Sequence, residues 1–292
     1  MSTLVLLTVT GLGLGALYFL VASGLSLVFG LADVLNFAHG LFLSVGAYAA
    51  WWATGRSGGT TVSGLAVALA FGAAAGTAAA VAVERIMIRP LYGRPAHQIL
   101  ATVGLSLAGV AAVQAAWGTD ARSFRQPAST RNVWHIAAAA VPANRLVLIA
   151  CAGIVLAALA ALLRYSRFGL VVRAGVHDRE MVTALGIDVR TSFTLVFALA
   201  GAAAGLAGGL GGIYFGAVSP DQGSALLIFA IIVVVVGGLG SITGTAVAAA
   251  AIGLFQQYVN YYALGLGDVC VIAVLAAVLL ARRERVAGRV LA

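Results

Sequence analysis

The chain has 292 residues, of which 62% are hydrophobic and only 9% charged, and its mean hydropathy is +1.06. A soluble domain carries about 25% charged residues, so the composition excludes a water-soluble enzyme and indicates a polytopic membrane protein. All 17 basic residues are arginine, which excludes a P-loop ATPase, because that loop needs a lysine on the nucleotide phosphates.

The N-terminal run MSTLVLL lacks a basic flank, and its apolar stretch is longer than a signal-peptide core, so it is expected to stay in the membrane as the first span. A helix needs roughly 20 apolar residues to cross a bilayer about 30 Å thick. Residues 4–54 hold two crossings with a break, or three tilted ones, interrupted at Gly30 to Gly40, GLADVLNFAHG. Further apolar stretches cover residues 62–83, 99–117, 146–163, 191–217, 225–239, 245–263 and 267–281. The expected fold is therefore an all-α polytopic membrane protein with nine candidate spans, in a range of eight to ten, and a discontinuous segment near Asn36 to Gly40. It forms one domain over residues 1–292. In 99–117, Thr102, Ser106 and Gln114 give the span a polar side suited to the bundle interior or a cavity.

Arginine orients these spans. Arg85, Arg89 and Arg94, the five arginines of residues 164–190, and Arg282, Arg283, Arg285 and Arg289 fall on one side. Arg56, Arg122, Arg125, Arg131 and Arg145 fall on the other. Cytoplasmic loops carry the excess of positive charge, so the C-terminus is expected inside and, with nine spans, the N-terminus outside. Residues 118–144 then form the main external loop, with Trp117 and Trp134 as interfacial anchors. Cys151 and Cys270 lie in separate apolar runs and read as small packing residues, with neither a disulfide nor a metal site indicated.

The longest charged interruption is 164–190, RYSRFGLVVRAGVHDREMVTALGIDVR. Ser166 is placed to cap a short helix with Phe168, Val171, Val172 and Val176 on one face, and Asp178 a second with Met181, Val182 and Leu185, stopped by Gly186. Two short amphipathic helices fit either a solvated linker or a docking element that lays its apolar face into a partner's groove or the lipid interface.

Two breaks carry polar side chains. Gly30 to Gly40 places Asp33, Asn36 and His39 between apolar runs, and Gly237 to Gly244, GGLGSITG, brings in Ser241. Paired Gly-interrupted segments in the two halves of a transporter point to a broken-helix pathway, which makes Asn36, His39 and Ser241 candidates for the substrate path. The alternative for Asn36 and His39 is that they hydrogen-bond backbone freed at the break. Gly201, Gly205, Gly208 and Gly212 recur at helical spacing with Gly209 and Gly216, and Gly72, Gly76, Gly11 and Gly15 repeat the theme. Such small faces let helices approach closely in lipid. No HExxH, GxSxG or paired intramembrane aspartates are present, and no enzyme activity is expected.

Phe29 to Tyr48 (FGLADVLNFAHGLFLSVGAY), Arg89 to Leu107 (RPLYGRPAHQILATVGLSL), Arg167 to Gly186, and Val236 to Gly244 (VGGLGSITG) together resemble the LivH-type permeases of branched-chain amino acid ABC importers. The resemblance implies a transmembrane permease subunit of the bacterial inner membrane, working by alternating access. It implies that residues 164–190 form a coupling loop on the ATP-binding subunits, with Arg167, Gly169, Arg173, Ala174 and Gly186 at that contact. It further implies a second, LivM-like permease, LivG-like and LivF-like ATP-binding subunits, and an extracytoplasmic substrate-binding protein. ATP and Mg would reside on the partner subunits, with no cofactor on this chain; the lipid bilayer is its surroundings and nucleic acid is no partner. Relatives commonly place an acid directly after NFAHG, where this chain has Leu41. Related permeases for urea and short amides share these signatures. A stand-alone secondary transporter or channel would need intramembrane acids of its own, for which Asp33 and Asp268 are the candidates.

Overall fold

In lipid every backbone amide must be satisfied within the chain, so long apolar runs without charge or proline become helices. The computed structural model describes residues 2–32, 36–56, 60–136, 139–166, 169–171 and 189–290. The helices are α1 (Ser2–Ala32), α2 (His39–Arg56), α3 (Val62–Val83), α4 (Pro95–Trp117), the one-turn α5 (Ala128–Arg131), α6 (Ala143–Tyr165), α7 (Val189–Phe215), α8 (Gln222–Gly237), α9 (Ile242–Tyr262) and α10 (Gly267–Val290). Their starts follow local chemistry: Pro95 opens α4, and Thr61 and Ser241 accept the Gly64 and Gly244 N–H groups at 3.1 Å to cap α3 and α9.

Among the described residues six helices are long and apolar enough to cross a membrane: Ser2–Gly30, Val62–Leu91, Pro95–Trp117, Ala143–Tyr165, Thr191–Phe215 and Ile242–Tyr262. The expected eight to ten spans are not reached by this measure. The apolar parts of α8 (Gln222–Gly237) and α10 (Gly267–Leu280) are shorter, and α2 carries His39 and Arg56 at its ends. The discontinuity near Asn36 to Gly40 is present. His39 bonds the Val21 carbonyl, eleven residues before the end of α1. At 1.5 Å per residue the chain has therefore come back about 16 Å along α1 before α2 starts.

The packing of the long helices has an internal two-fold pattern. α1 packs on α9 as α7 packs on α3, α2 on α7 as α8 on α1, and α2 on α3 as α8 on α9; α1 with α7 and α2 with α8 form the self-paired contacts. Gly24 lies against Ala200 while Gly211 lies near Leu17, so α1 and α7 are antiparallel and the exchange axis is perpendicular to both. The two halves are thus inverted relative to each other. Small residues make the closest pairs: a Cβ on Gly15 would stand 2.6 Å from the Ala249 carbonyl, Gly201 faces Gly76, and Gly205 faces Gly72. Under this exchange the break before α2 matches residues 216–221 before α8, and the Ser241 cap matches Thr61. The two breaks paired from sequence are instead neighbours in space, Gly30 meeting Gly240 backbone to backbone. Glycine content marked both as breaks, but their symmetry mates are set by helix order.

One end of the bundle departs from the all-α expectation. β1 (Arg122–Ser123) pairs antiparallel with β4 (Ala217–Val218), and β2 (Val133–Ile136) pairs with β3 (Ala139–Pro142). These strands are two to four residues long, too short to register as alternation in sequence. The Phe124 ring rests over Gly212, and the Trp51 indole donates to the Ser123 carbonyl at 3.1 Å, which ties this loop to α7 and α2. Trp117 packs on Tyr48 with ring centroids 5.1 Å apart, whereas Trp134 is exposed.

Candidate functional site

The two half-helices α2 and α8 begin inside the bundle and meet there. A Cβ on Gly40 would lie 2.8 Å from the Gly223 carbonyl, and Gly223 in turn faces the Gly40 carbonyl and the Ser44 hydroxyl. Ser44 donates to the Pro220 carbonyl at 3.2 Å, holding α2 to the segment that precedes α8. Two helix N-termini, each equivalent to about half a positive charge, are thereby brought together among buried side chains, an arrangement that favours an anionic group.

At α2 the polar side chains serve the break. The Asn36 side-chain oxygen accepts the Ala38 N–H at 3.0 Å, and the Asn36 carbonyl accepts the His39 N–H at 3.2 Å. The Val21 carbonyl can only accept, so His39 donates to it from Nε2 at 3.0 Å, and the ring fits against Gly24, where no Cβ intrudes. Among the described residues, His39 Nδ1 and Asn36 Nδ2 are buried without a partner. Leu41 lies against Gly109 of α4, so the position after NFAHG faces that helix. Ser241 sits at the other end of the bundle, where it caps α9.

A cavity of about 580 Å³ opens at the end that carries β1 and β4 and reaches down to the start of α8. α1, α7, α8, α9 and α10 wall it. Its polar side is a chain of hydrogen bonds: Tyr18 donates to Gln256 at 2.7 Å, and Gln256 donates to Asp268 at 2.6 Å. Gln222, the first residue of α8, also lines it; the side chain is 8% exposed and neither amide atom has a partner among the described residues. The apolar side includes Leu14, Leu226 and Phe229, with Phe229 stacked on Tyr18 at 5.0 Å. Beside it, the Arg145 guanidinium lies 3.4 Å from the Tyr214 ring centroid. Asn36, His39 and Ser241 are not among its lining residues. Sequence reasoning missed Tyr18, Gln222 and Gln256; the signals were an amide inside the apolar run of α9 and another directly after SPD. Among the described residues no three His, Cys, Asp or Glu side chains converge as a metal ion would require.

Of the residues expected at the coupling contact, Arg167, Arg173, Ala174 and Gly186 lie outside the described residues. Gly169 is described: its N–H donates to the Ser166 hydroxyl at 2.9 Å, so Ser166 caps a helical turn there, and Gly169 itself presses on the Leu163 backbone. Gly208 faces Leu43 and Ala47, which with Gly201, Gly205 and Gly212 accounts for the glycine face of α7. A further buried group was not anticipated. Glu84, in the π-helical turn Glu84–Ile88 that ends α3, accepts the Tyr92 and Thr194 hydroxyls at 2.9 Å each and so fastens α3 to the start of α7.

An inverted bundle with six helices long and apolar enough to cross a membrane among the described residues defines the chain as a multi-pass membrane protein. It belongs to the family described as the permease component of the branched-chain amino acid transport system, matched over residues 7–281. It is 29% identical to the high-affinity branched-chain amino acid transport system permease LivH of Salmonella typhimurium, covering 96% of this chain and 94% of that protein. It is 28% identical to LivH of Escherichia coli K12 with the same coverage, and 27% identical to the BraD permease of Pseudomonas aeruginosa, again over 96% and 94%. No solved structure matches the chain.

Proposed function

We propose that this chain is one permease subunit of an ATP-driven importer for branched-chain amino acids in a bacterial inner membrane. The observation that carries the reading is the family match over residues 7–281. In this reading nine segments span the bilayer, with α2 and α8 as complementary halves, and the arginine-rich C-terminus is cytoplasmic. A second LivM-like permease completes the pathway, LivG-like and LivF-like subunits bind ATP and Mg, and an extracytoplasmic binding protein delivers substrate to the end bearing residues 118–142. Residues 164–190 take the force, through Arg167, Gly169, Arg173, Ala174 and Gly186. Asn36 and His39 at the half-helix junction and Ser241 at the inner end lie along the route. The inverted halves supply a mechanical basis, since rocking one against the other exposes a central site to alternate sides.

The reading is tested by purifying the chain from its native membrane in mild detergent and identifying its companions by mass spectrometry. A second permease and proteins with Walker A loops are expected. Recovery of this chain alone, in a form that still transports, would transfer the reading to a secondary transporter.

A further inference from the structure

We infer that the cleft between α2, α3 and α4 holds one acyl chain of an anionic phospholipid, whose phosphate is bound by Arg56 and Arg122. The inference needs only that the chain spans a membrane, and it goes beyond the importer reading. The cleft exists because α4 rests on the bundle at few points: of its 23 residues only Gln98, Thr102, Gly109 and Val113 are buried, with Gly109 seated on Leu41. What remains is a cavity of about 290 Å³, lined by the rings of Tyr48, Trp52, Phe71 and Trp117 together with Val45 and Val113. Trp52, Phe71 and Trp117 are exposed in the single chain, so the cleft opens to the outside of the bundle. An apolar gap left empty there would forfeit contacts along its whole lining. Size selects the occupant. A helix with its side chains is about 10–12 Å across, so one turn of it displaces on the order of 500 Å³, more than the cleft holds. An acyl chain is one carbon wide and fits.

The two ends of the cleft match the two ends of a lipid. Val45 lies seven residues before Trp52 on α2, about 10 Å along the helix, and this depth is apolar. Tryptophans mark the level of the headgroups, and at that level both tryptophans of the cleft carry a guanidinium. Arg56 lies over the Trp52 ring at 3.9 Å, and Arg122 donates to the Trp117 carbonyl at 2.6 Å. A guanidinium has five N–H donors; contact with a ring face uses none of them and the Trp117 bond uses one. Donors fixed in this way suit a phosphate, which arginine binds through paired hydrogen bonds. Basic pockets between membrane helices hold lipid headgroups for the same reason. Asp120, the one acid of residues 118–131, is outnumbered there by Arg122, Arg125 and Arg131, which favours a headgroup of net negative charge.

The test uses the protein with the companions it keeps in mild detergent, placed in nanodiscs of phosphatidylcholine. Phosphatidylglycerol with brominated acyl chains is added, or phosphatidylcholine brominated in the same way. Tryptophan fluorescence is read, because bromine quenches a ring only at contact. Ala49→Phe fills the cleft and keeps every tryptophan, so the quenching it abolishes is that of the cleft. For this component, phosphatidylglycerol is expected to half-quench at a lower membrane fraction than phosphatidylcholine, by about fivefold for each of the two arginines. Arg56→Gln and Arg122→Gln, which leave the cleft unfilled, are each expected to narrow the gap about fivefold, and the double variant to close it. Equal half-quenching by the two lipids with both arginines intact overturns the anionic assignment. Quenching that a folded Ala49→Phe leaves unchanged overturns the cleft as a lipid site. Absence of quenching, with Phe71→Cys cross-linking to a companion membrane subunit, overturns it in favour of protein at that surface. The readout involves no transport, so the importer reading stands or falls separately.

Discussion

Gly205 shows how little room the bundle leaves at single positions. It is wedged between Gly72 and Gly46, so a side chain there would separate α7 from both α3 and α2. Gly205→Val is expected to cost about 1–3 kcal/mol, as overpacking does, seen as a lower unfolding temperature in detergent. Gly104 of α4 meets nothing within 4 Å, and Gly104→Ala is expected to leave that temperature unchanged or raise it slightly. Equal effects of the two would contradict the packing described. This face was legible from the spacing of Gly201, Gly205, Gly208 and Gly212, because close helix approach requires small residues at a fixed period. The break at Asn36 and His39 was legible too, as polarity within an apolar run. That both side chains bond backbone was one of the two readings of the break, but Val21 as the partner of His39 was not legible, because it is brought there only by the chain's return along α1. Gln222 and Gln256 stayed hidden for a related reason: an isolated amide acquires meaning only from what faces it.

At the level of elements, the ends of helices carry buried polar contacts that join one helix to another. Glu84 fastens the end of α3 to the start of α7, directly after the stretch proposed to meet the ATP-binding subunits. A glutamine there accepts through one atom only, so Glu84→Gln is expected to destabilise by about 1–3 kcal/mol, the cost of a buried group left unmatched. Reversing the charge at Arg173, or Gly186→Pro, is expected to leave the protein inserted while uncoupling ATP hydrolysis from uptake. Normal coupled uptake in both variants would remove residues 164–190 from the coupling role. Sequence reading found nearly all the long helices within a few residues, since apolar runs and caps are local signals. It mispaired the breaks because the match between residues 36–38 and 216–221 is one of position in the fold, with little shared composition. The short strands at 122–123 and 217–218 eluded it because their pairing joins segments far apart in sequence.

For the whole molecule, the inverted repeat and the exposed apolar side chains go together. Leu100, Leu107 and Ile154 on α4 and α6 and Val247 on α9 are largely exposed in the single chain. Exposed apolar side chains on membrane-spanning helices meet lipid or another membrane subunit. The proposed importer needs both, a bilayer around it and a second permease against one face, with the energy supplied by separate chains because this one has no lysine for a phosphate-binding loop. The most direct measurement is the uptake of labelled leucine by sealed vesicles containing this chain, with the partner permease, ATP-binding subunits and binding protein added or withheld. Accumulation only with the full set and with ATP on the cytoplasmic side is the predicted result. Accumulation by this chain alone, driven by a proton or sodium gradient and indifferent to ATP, would contradict it.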